Sequence, residues 1–139
     1  MAALEYQLNP VLMGGVVTGL TADDIKINLN GRLGVLHVTP ALFVPSSTVA
    51  LGDKVKFYFS YMQTIDTPLD YDYYPLRHEA DMSPCLIGGV LDEVNDTAVK
   101  VTMGDHLGTI AVPRRWVFTN AALAAGQEAE FYVSRISVS

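Results

Sequence analysis

Apolar and polar residues alternate along several short stretches of this chain. In Ile25-Lys-Ile-Asn-Leu29 and Val99-Lys-Val-Thr-Met103 every second position is apolar. A period of two sends successive side chains to opposite faces, so both stretches predict strands with one face in a core and the other in water. Val55-Lys-Phe-Tyr-Phe-Ser-Tyr61 reads the same way, with Val55, Phe57 and Phe59 on one face and Lys56, Tyr58 and Ser60 on the other. Gly14-Gly15 and Gly88-Gly89 are placed at strand openings, where missing side chains predict a bulge or tight coiling. Gly52-Asp53 and Gly126-Gln127 predict the turn into a last strand. One short helical turn is expected in each of residues 43–48 and 118–125, with Thr119 or Asn120 as N-cap of the second. Nothing in the pattern predicts a long helix.

The strand pattern occurs twice. Displacing the sequence by 74 residues brings Pro10 onto Pro84, and the register holds without insertion from Glu5/Glu79 to Met62/Ile136. Identical pairs include Leu12/Leu86, Gly14/Gly88, Lys26/Lys100, Leu33/Leu107, Gly34/Gly108, Phe57/Phe131, Tyr58/Tyr132 and Ser60/Ser134. Self-similarity at one fixed offset is the mark of internal duplication. It divides the chain into a first repeat at residues 5–62, a connector at 63–78 and a second repeat at 79–136. The connector, QTIDTPLDYDYYPLRH, is acidic and rich in tyrosine, which makes it a poor flexible tether and predicts that it lies against a barrel surface.

Each repeat supplies four or five short strands, enough to close a small barrel. The expected fold is therefore all-β, with two tandem duplicated small β-barrels. The alternative is one pseudo-twofold barrel formed from both halves, which leaves the same periodic signature.

The order of features in the first repeat resembles the S1-type RNA-binding domain: Gly15-Val-Val, Ile25-Lys-Ile-Asn-Leu29, Leu33-Gly-Val-Leu-His-Val-Thr39, then Leu51-Gly-Asp-Lys-Val55. The resemblance implies an S1 or OB-like barrel, with an SH3-like one as its near relation, and would place His37 on a nucleic-acid face. The sequence departs from that family at Thr21-Ala-Asp-Asp-Ile-Lys-Ile27, which carries no aromatic platform, and at Ala111, which stands where the first repeat has His37. The repeat is also similar to a family of small uncharacterised bacterial proteins, through Asn9-Pro10, Gly31-Arg-Leu-Gly34, Val112-Pro-Arg-Arg115 and Ala125-Gly-Gln-Glu128. That second likeness implies a shared fold and no activity.

Charge changes the picture only in part. The net charge of -6 and pI near 4.8 oppose nonspecific attraction to nucleic acid or anionic lipid. Residues 5–62 balance four basic against four acidic side chains, whereas residues 79–136 carry four against eight. The first repeat is thus the better candidate for single-stranded RNA, through Lys26, Arg32, His37, Lys54, Lys56 and Tyr58. Arg114-Arg115-Trp116 is the most concentrated recognition-type triplet, although Trp116 aligns with Leu42 and reads as core. Lys54 and Lys56 align with Glu128 and Glu130, a charge reversal that predicts these strands meet, between the halves or between chains. Arg114, Arg115, Glu128, Glu130 and Tyr132 are the candidate protein-interaction residues.

Catalytic chemistry has little to stand on. Cys85 lacks a local motif tying it to His78 or His106 and aligns with Val11, so it reads as structural. The spacing of Asp70, Asp72, His78, Glu79 and Asp81 matches neither an EF-hand nor a zinc signature, and no phosphate-cradling glycine motif occurs. The expectation is a protein without catalytic activity, cofactor or metal, binding a protein partner or itself, with single-stranded RNA as the alternative. A single cysteine and no signal-like or membrane-spanning run predict a cytoplasmic setting.

Overall fold

A computed structural model describes residues 8–32, 34–44, 48–67, 70–79, 81–119 and 122–139, without the side chain of Arg32. The alternating stretches form strands: β1 (Val11–Leu20), β2 (Ile25–Leu29), β3 (Val35–Val38), β4 (Lys54–Phe59) and β5 (Met62–Ile65) in the first half. A five-residue helix, α1 (Tyr74–His78), precedes β6 (Cys85–Val94), β7 (Ala98–Met103), β8 (Gly108–Pro113), β9 (Val117–Phe118), β10 (Glu128–Val133) and β11 (Ser137–Val138). No helix among the described residues is long and apolar enough to cross a membrane.

The strands join one sheet in the order β11-β4-β1-β2-β3-β8-β7-β6-β10-β5-β9, and a further pairing of β4 with β10 closes a ring of eight. The chain therefore forms the all-β barrel its periodicity predicts. Of the two arrangements weighed from sequence, it is the single barrel assembled from both halves and not two separate ones. The reason lies at two seams. At the first, β3 pairs with β8, with Leu36 opposite Ile110; at the second, Phe59 of β4 pairs with Val133 of β10. Both pairs are one 74-residue offset apart, so each seam is symmetric about its own midpoint. The same offset relates Val11↔Phe59 to Cys85↔Val133, and Gly15↔Leu29 to Gly89↔Met103.

The ends of the halves are exchanged across the second seam. β5, which closes the first half, lies on β10, whereas β11, which closes the second, lies on β4. Val17, Ile27, Leu36, Phe57, Phe59, Leu91, Val101, Ile110 and Phe131 fill the interior. Phe59 sits edge-on to Phe131 with 5.5 Å between ring centres, and stacks on Trp116 at 5.7 Å. Trp116 is thus core, as its alignment with Leu42 predicts.

Two local expectations shift. The strand bulges fall at Val17/Gly19 and Leu91/Glu93, beyond the paired glycines, which lie inside β1 and β6 and not at their openings. At Gly15 a side chain would run into Ile27, and at Gly89 into Val101, so those two glycines allow close strand approach. Short helical turns stand at Pro40–Leu42 and Arg114–Trp116, ahead of the expected stretches, of which residues 45–47 and 120–121 lie outside the described residues. Thr39 caps the first turn by accepting from the Ala41 N–H at 3.4 Å, and proline at its first position needs no N–H partner. Asn120, one of the two expected caps of the second, is outside the described residues.

Candidate functional site

The outward side of β4-β1-β2-β3 gathers most of the residues singled out for RNA. Burial of Ile25, Ile27 and Leu29 turns Lys26 outward, burial of Leu36 and Val38 does the same for His37, and burial of Val55, Phe57 and Phe59 for Lys54, Lys56 and Tyr58. Lys26 and His37 are cross-strand partners. Lys54 lies opposite Val16 and Lys56 opposite Gly14, so β1 separates the two basic groups. Arg32 ends the turn Asn30–Arg32 that follows β2. The His37 ring is engaged: its Nδ1 lies 2.9 Å from Asp24 Oδ2, in a turn where Thr21 Oγ1 accepts from the Asp24 N–H at 3.0 Å.

Beside Lys54 and Lys56 lies a cavity of about 460 Å³, lined among others by Leu12, Gly14, Gly15 and Asn30. The lysines are exposed, and neither ammonium has a hydrogen-bond or ion-pair partner among the described residues.

The corresponding side of the second half is different. Glu130, expected on an outward face, is only 6% exposed. Its carboxylate accepts from Gln63 Nε2 at 2.8 Å and from the Tyr71 hydroxyl at 3.0 Å. The strand does point it outward, but the connector covers it. Tyr73 completes the cover, its hydroxyl accepting from the Gly88 N–H at 3.2 Å. Glu128 and Tyr132 stay half-buried. The expected meeting of Lys54 and Lys56 with Glu128 and Glu130 does not occur within the chain. β4 and β10 pair in register only at Phe59/Val133, near the ends of both strands, so the lysines face β1 and β11 while the glutamates face β6 and β5.

Arg114 and Arg115 belong to a third place. The turn that buries Trp116 presents both to a shallow cleft of about 710 Å³, shared with Asp96, Thr97, Thr119 and Leu123. Arg114 is tied down, donating from Nη1 to the Asn95 carbonyl at 2.8 Å. Arg115 is exposed, and its guanidinium has no partner among the described residues.

No family model matches the chain, and no curated protein does.

Among the described residues no three His, Cys, Asp or Glu side chains converge on a metal-sized site. Burial first, then the carboxylates of Asp72 and Asp81, push the Cys85 thiol above its ordinary range. His78 stacks on Tyr74 with ring centres 4.4 Å apart, and His106 sits in a left-handed turn with φ of 56°. The hydrogen bond of the Cys85 thiol is to the Ser83 carbonyl at 3.7 Å.

Sequence reasoning passed over Arg135. It is 4% exposed, and its guanidinium donates to the carbonyls of Ala41, Phe43 and Glu79, fastening the end of α1 and the Pro40 turn to the link between β10 and β11. Burial lowers its pKa, and Nε lacks a hydrogen-bond partner among the described residues. The signal was an arginine between Ser134 and Ile136, just beyond the apolar stretch at residues 131–133.

Proposed function

We propose that the chain is a non-catalytic binding or assembly module that acts through protein contacts in the cytoplasm. The observation that carries this reading is Arg115. Its guanidinium projects from a turn held in place by the buried Trp116 beneath it, beside an open cleft, with its donors uncommitted. A planar guanidinium with free paired donors is suited to a carboxylate, and arginine is among the residues that dominate protein interfaces. The 74-residue offset supports an origin by tandem duplication, and a free, half-buried cysteine fits a reducing compartment.

A second reading, single-stranded RNA binding by the first half, is supported by the sharing of one outward face by Lys26, His37, Lys54 and Lys56 and by the S1-like order of features. It has less behind it because Asp24 occupies His37 and Tyr58 is the one other ring among the candidates.

The deciding experiment measures fluorescence anisotropy of mixed single-stranded RNA over a salt series, with mass in solution on the same sample. Protein assembly predicts no RNA binding at low salt and a mass above one chain that falls in Arg115→Glu. Salt-sensitive RNA binding, lost in a Lys26→Ala and His37→Ala variant, would replace it with the second reading. A mass of one chain without RNA binding would remove self-association.

A further inference from the structure

The two halves present the same strand surface to the outside, yet among the described residues only one of them is covered by connector tyrosines. In the second half Tyr71 packs against Gly88, where an added Cβ would come within 2.5 Å of the ring, and its hydroxyl donates to Glu130. Tyr73 occupies the space above Gly104. One offset earlier stand Gly14 for Gly88, Lys56 for Glu130, Lys54 for Glu128 and Asn30 for Gly104. Over this first surface the side chain nearest the glycine is the short carboxamide of Asn30, standing over Gly14 where Tyr71 stands over Gly88. Leu12 on it is 57% exposed and neighbouring Val11 49%, whereas their counterparts Leu86 and Cys85 are half-buried.

We propose that this open surface binds an extended, acidic, tyrosine-bearing segment of a partner protein. The chain's own connector is the template for the binding mode: a ring laid on a glycine floor, with its hydroxyl on the side chain at the Lys56/Glu130 position. Two differences set the ligand's chemistry. The flanking carboxylates have become ammonium groups without partners among the described residues, so the segment must bring carboxylates next to its ring. Asn30, at the Gly104 position, lays its carboxamide over Gly14, with Nδ2 2.8 Å from where a Gly14 Cβ would be, so the incoming ring seats by turning the end of that one side chain aside. The exposed Leu12 supplies the apolar contact beside the ring. This surface is distinct from the Arg114–Arg115 cleft, so the proposal goes beyond the protein-assembly reading and stands without it.

The test is a titration of the full chain with a labelled, end-blocked peptide of sequence Asp-Tyr-Asp-Tyr-Tyr, read by anisotropy and by amide shifts. The expected result is binding that weakens with salt, with the largest shifts at Gly14, Gly15, Lys54 and Lys56. Affinity should drop by roughly tenfold or more in Lys54→Glu with Lys56→Glu, and similarly when the aspartates of the peptide become asparagine or its tyrosines alanine. Arg115→Glu should leave peptide affinity unchanged while altering mass in solution, which separates this proposal from the assembly reading. Because both lysines are exposed, the melting temperature of the double variant should match the wild type, so loss of binding reports the surface and not the fold. The proposal is overturned by equal affinity in the double lysine variant, by shifts centred on Gly88 and Gly104, or by RNA binding at this surface without peptide binding. A lysine-dependent dimer that ignores the peptide also overturns it, in favour of a second copy as occupant.

Discussion

Ser60 and Ser134, one repeat length apart, close the barrel by reciprocal hydrogen bonds. The Ser134 hydroxyl accepts from the Tyr58 N–H at 2.7 Å, and the Ser60 hydroxyl accepts from the Tyr132 N–H at 2.8 Å. Each hydroxyl in turn donates to the carbonyl of the next residue, Arg135 or Tyr61, at 2.8 Å. Both serines are buried, so removing either hydroxyl leaves a backbone N–H facing an apolar seam without a partner. Ser60→Ala and Ser134→Ala should each lower stability by about 1–3 kcal/mol in urea unfolding. A change no larger than that of the exposed Ser139→Ala would show that the hydroxyls do not hold the seam.

The other seam turns on Gly34 and Gly108, with φ of 133° and 137°. A Cβ on Gly34 would overlap the Ala111 carbonyl, and one on Gly108 the His37 carbonyl, again a symmetric pair. Gly34→Ala or Gly108→Ala should cost roughly 3 kcal/mol or more, since strained φ and a backbone clash add. Gly52 and Gly126 provide the comparison. Their φ values of 86° and 93° are also positive, but nothing lies within 4 Å of the added atom, so alanine there should cost only about 1–2 kcal/mol. Equal losses at all four positions would mean that conformation alone, without the seam, requires the glycines.

The repeated Leu-Gly of residues 33–34 and 107–108 thus carries a task that sequence could mark but not explain. Alternation assigns Lys26, Lys56 and Glu130 to an outward face because a strand's pleat is a local property. It does not say what lies over that face, and Tyr71 buries Glu130 from a connector without a repeat counterpart. Likewise the pairing of β3 with β8 joins residues seventy or more positions apart, and a fixed-offset repeat is compatible with closure inside each half or between them. The readable clue was Ser60/Ser134: polar identities at the end of an apolar strand, which the closing seam requires and a solvated strand end does not. Arg135 was missed because an isolated arginine reads as exposed unless the carbonyls around it are known.

Exchange of β5 and β11 between the halves makes each half incomplete. A chain of residues 1–66 keeps β1 to β5 but loses β8 for β3, β10 for β5 and β11 for β4, leaving apolar Leu36, Phe57 and Phe59 at open edges. Such a fragment should be unfolded or self-associated by circular dichroism and solution mass. Mixing it with residues 67–139 should restore a cooperative melt. Folding of the first fragment as a stable monomer would show that the exchange is dispensable.

The Cys85 thiol offers a prediction in pH. Its Sγ donates to the Ser83 carbonyl at 3.7 Å, and burial, then Asp72 and Asp81, disfavour the thiolate. The native thiol therefore ionises above 9.0, the ordinary value it recovers when the chain unfolds. Below that pH both states hold the proton and the contribution to stability is fully present. As pH rises from 9.0 through the native value, the unfolded chain ionises first and the contribution is lost. Alkylation by iodoacetamide follows the thiolate, so its rate in the folded protein should reach half-maximum above 9.0. Asp72→Asn should move that midpoint down without bringing it to the value of the unfolded chain, because burial is the larger cause and remains. A native midpoint at or below that of the unfolded chain, or one indifferent to Asp72→Asn, would show that the connector's carboxylates do not act on the thiol.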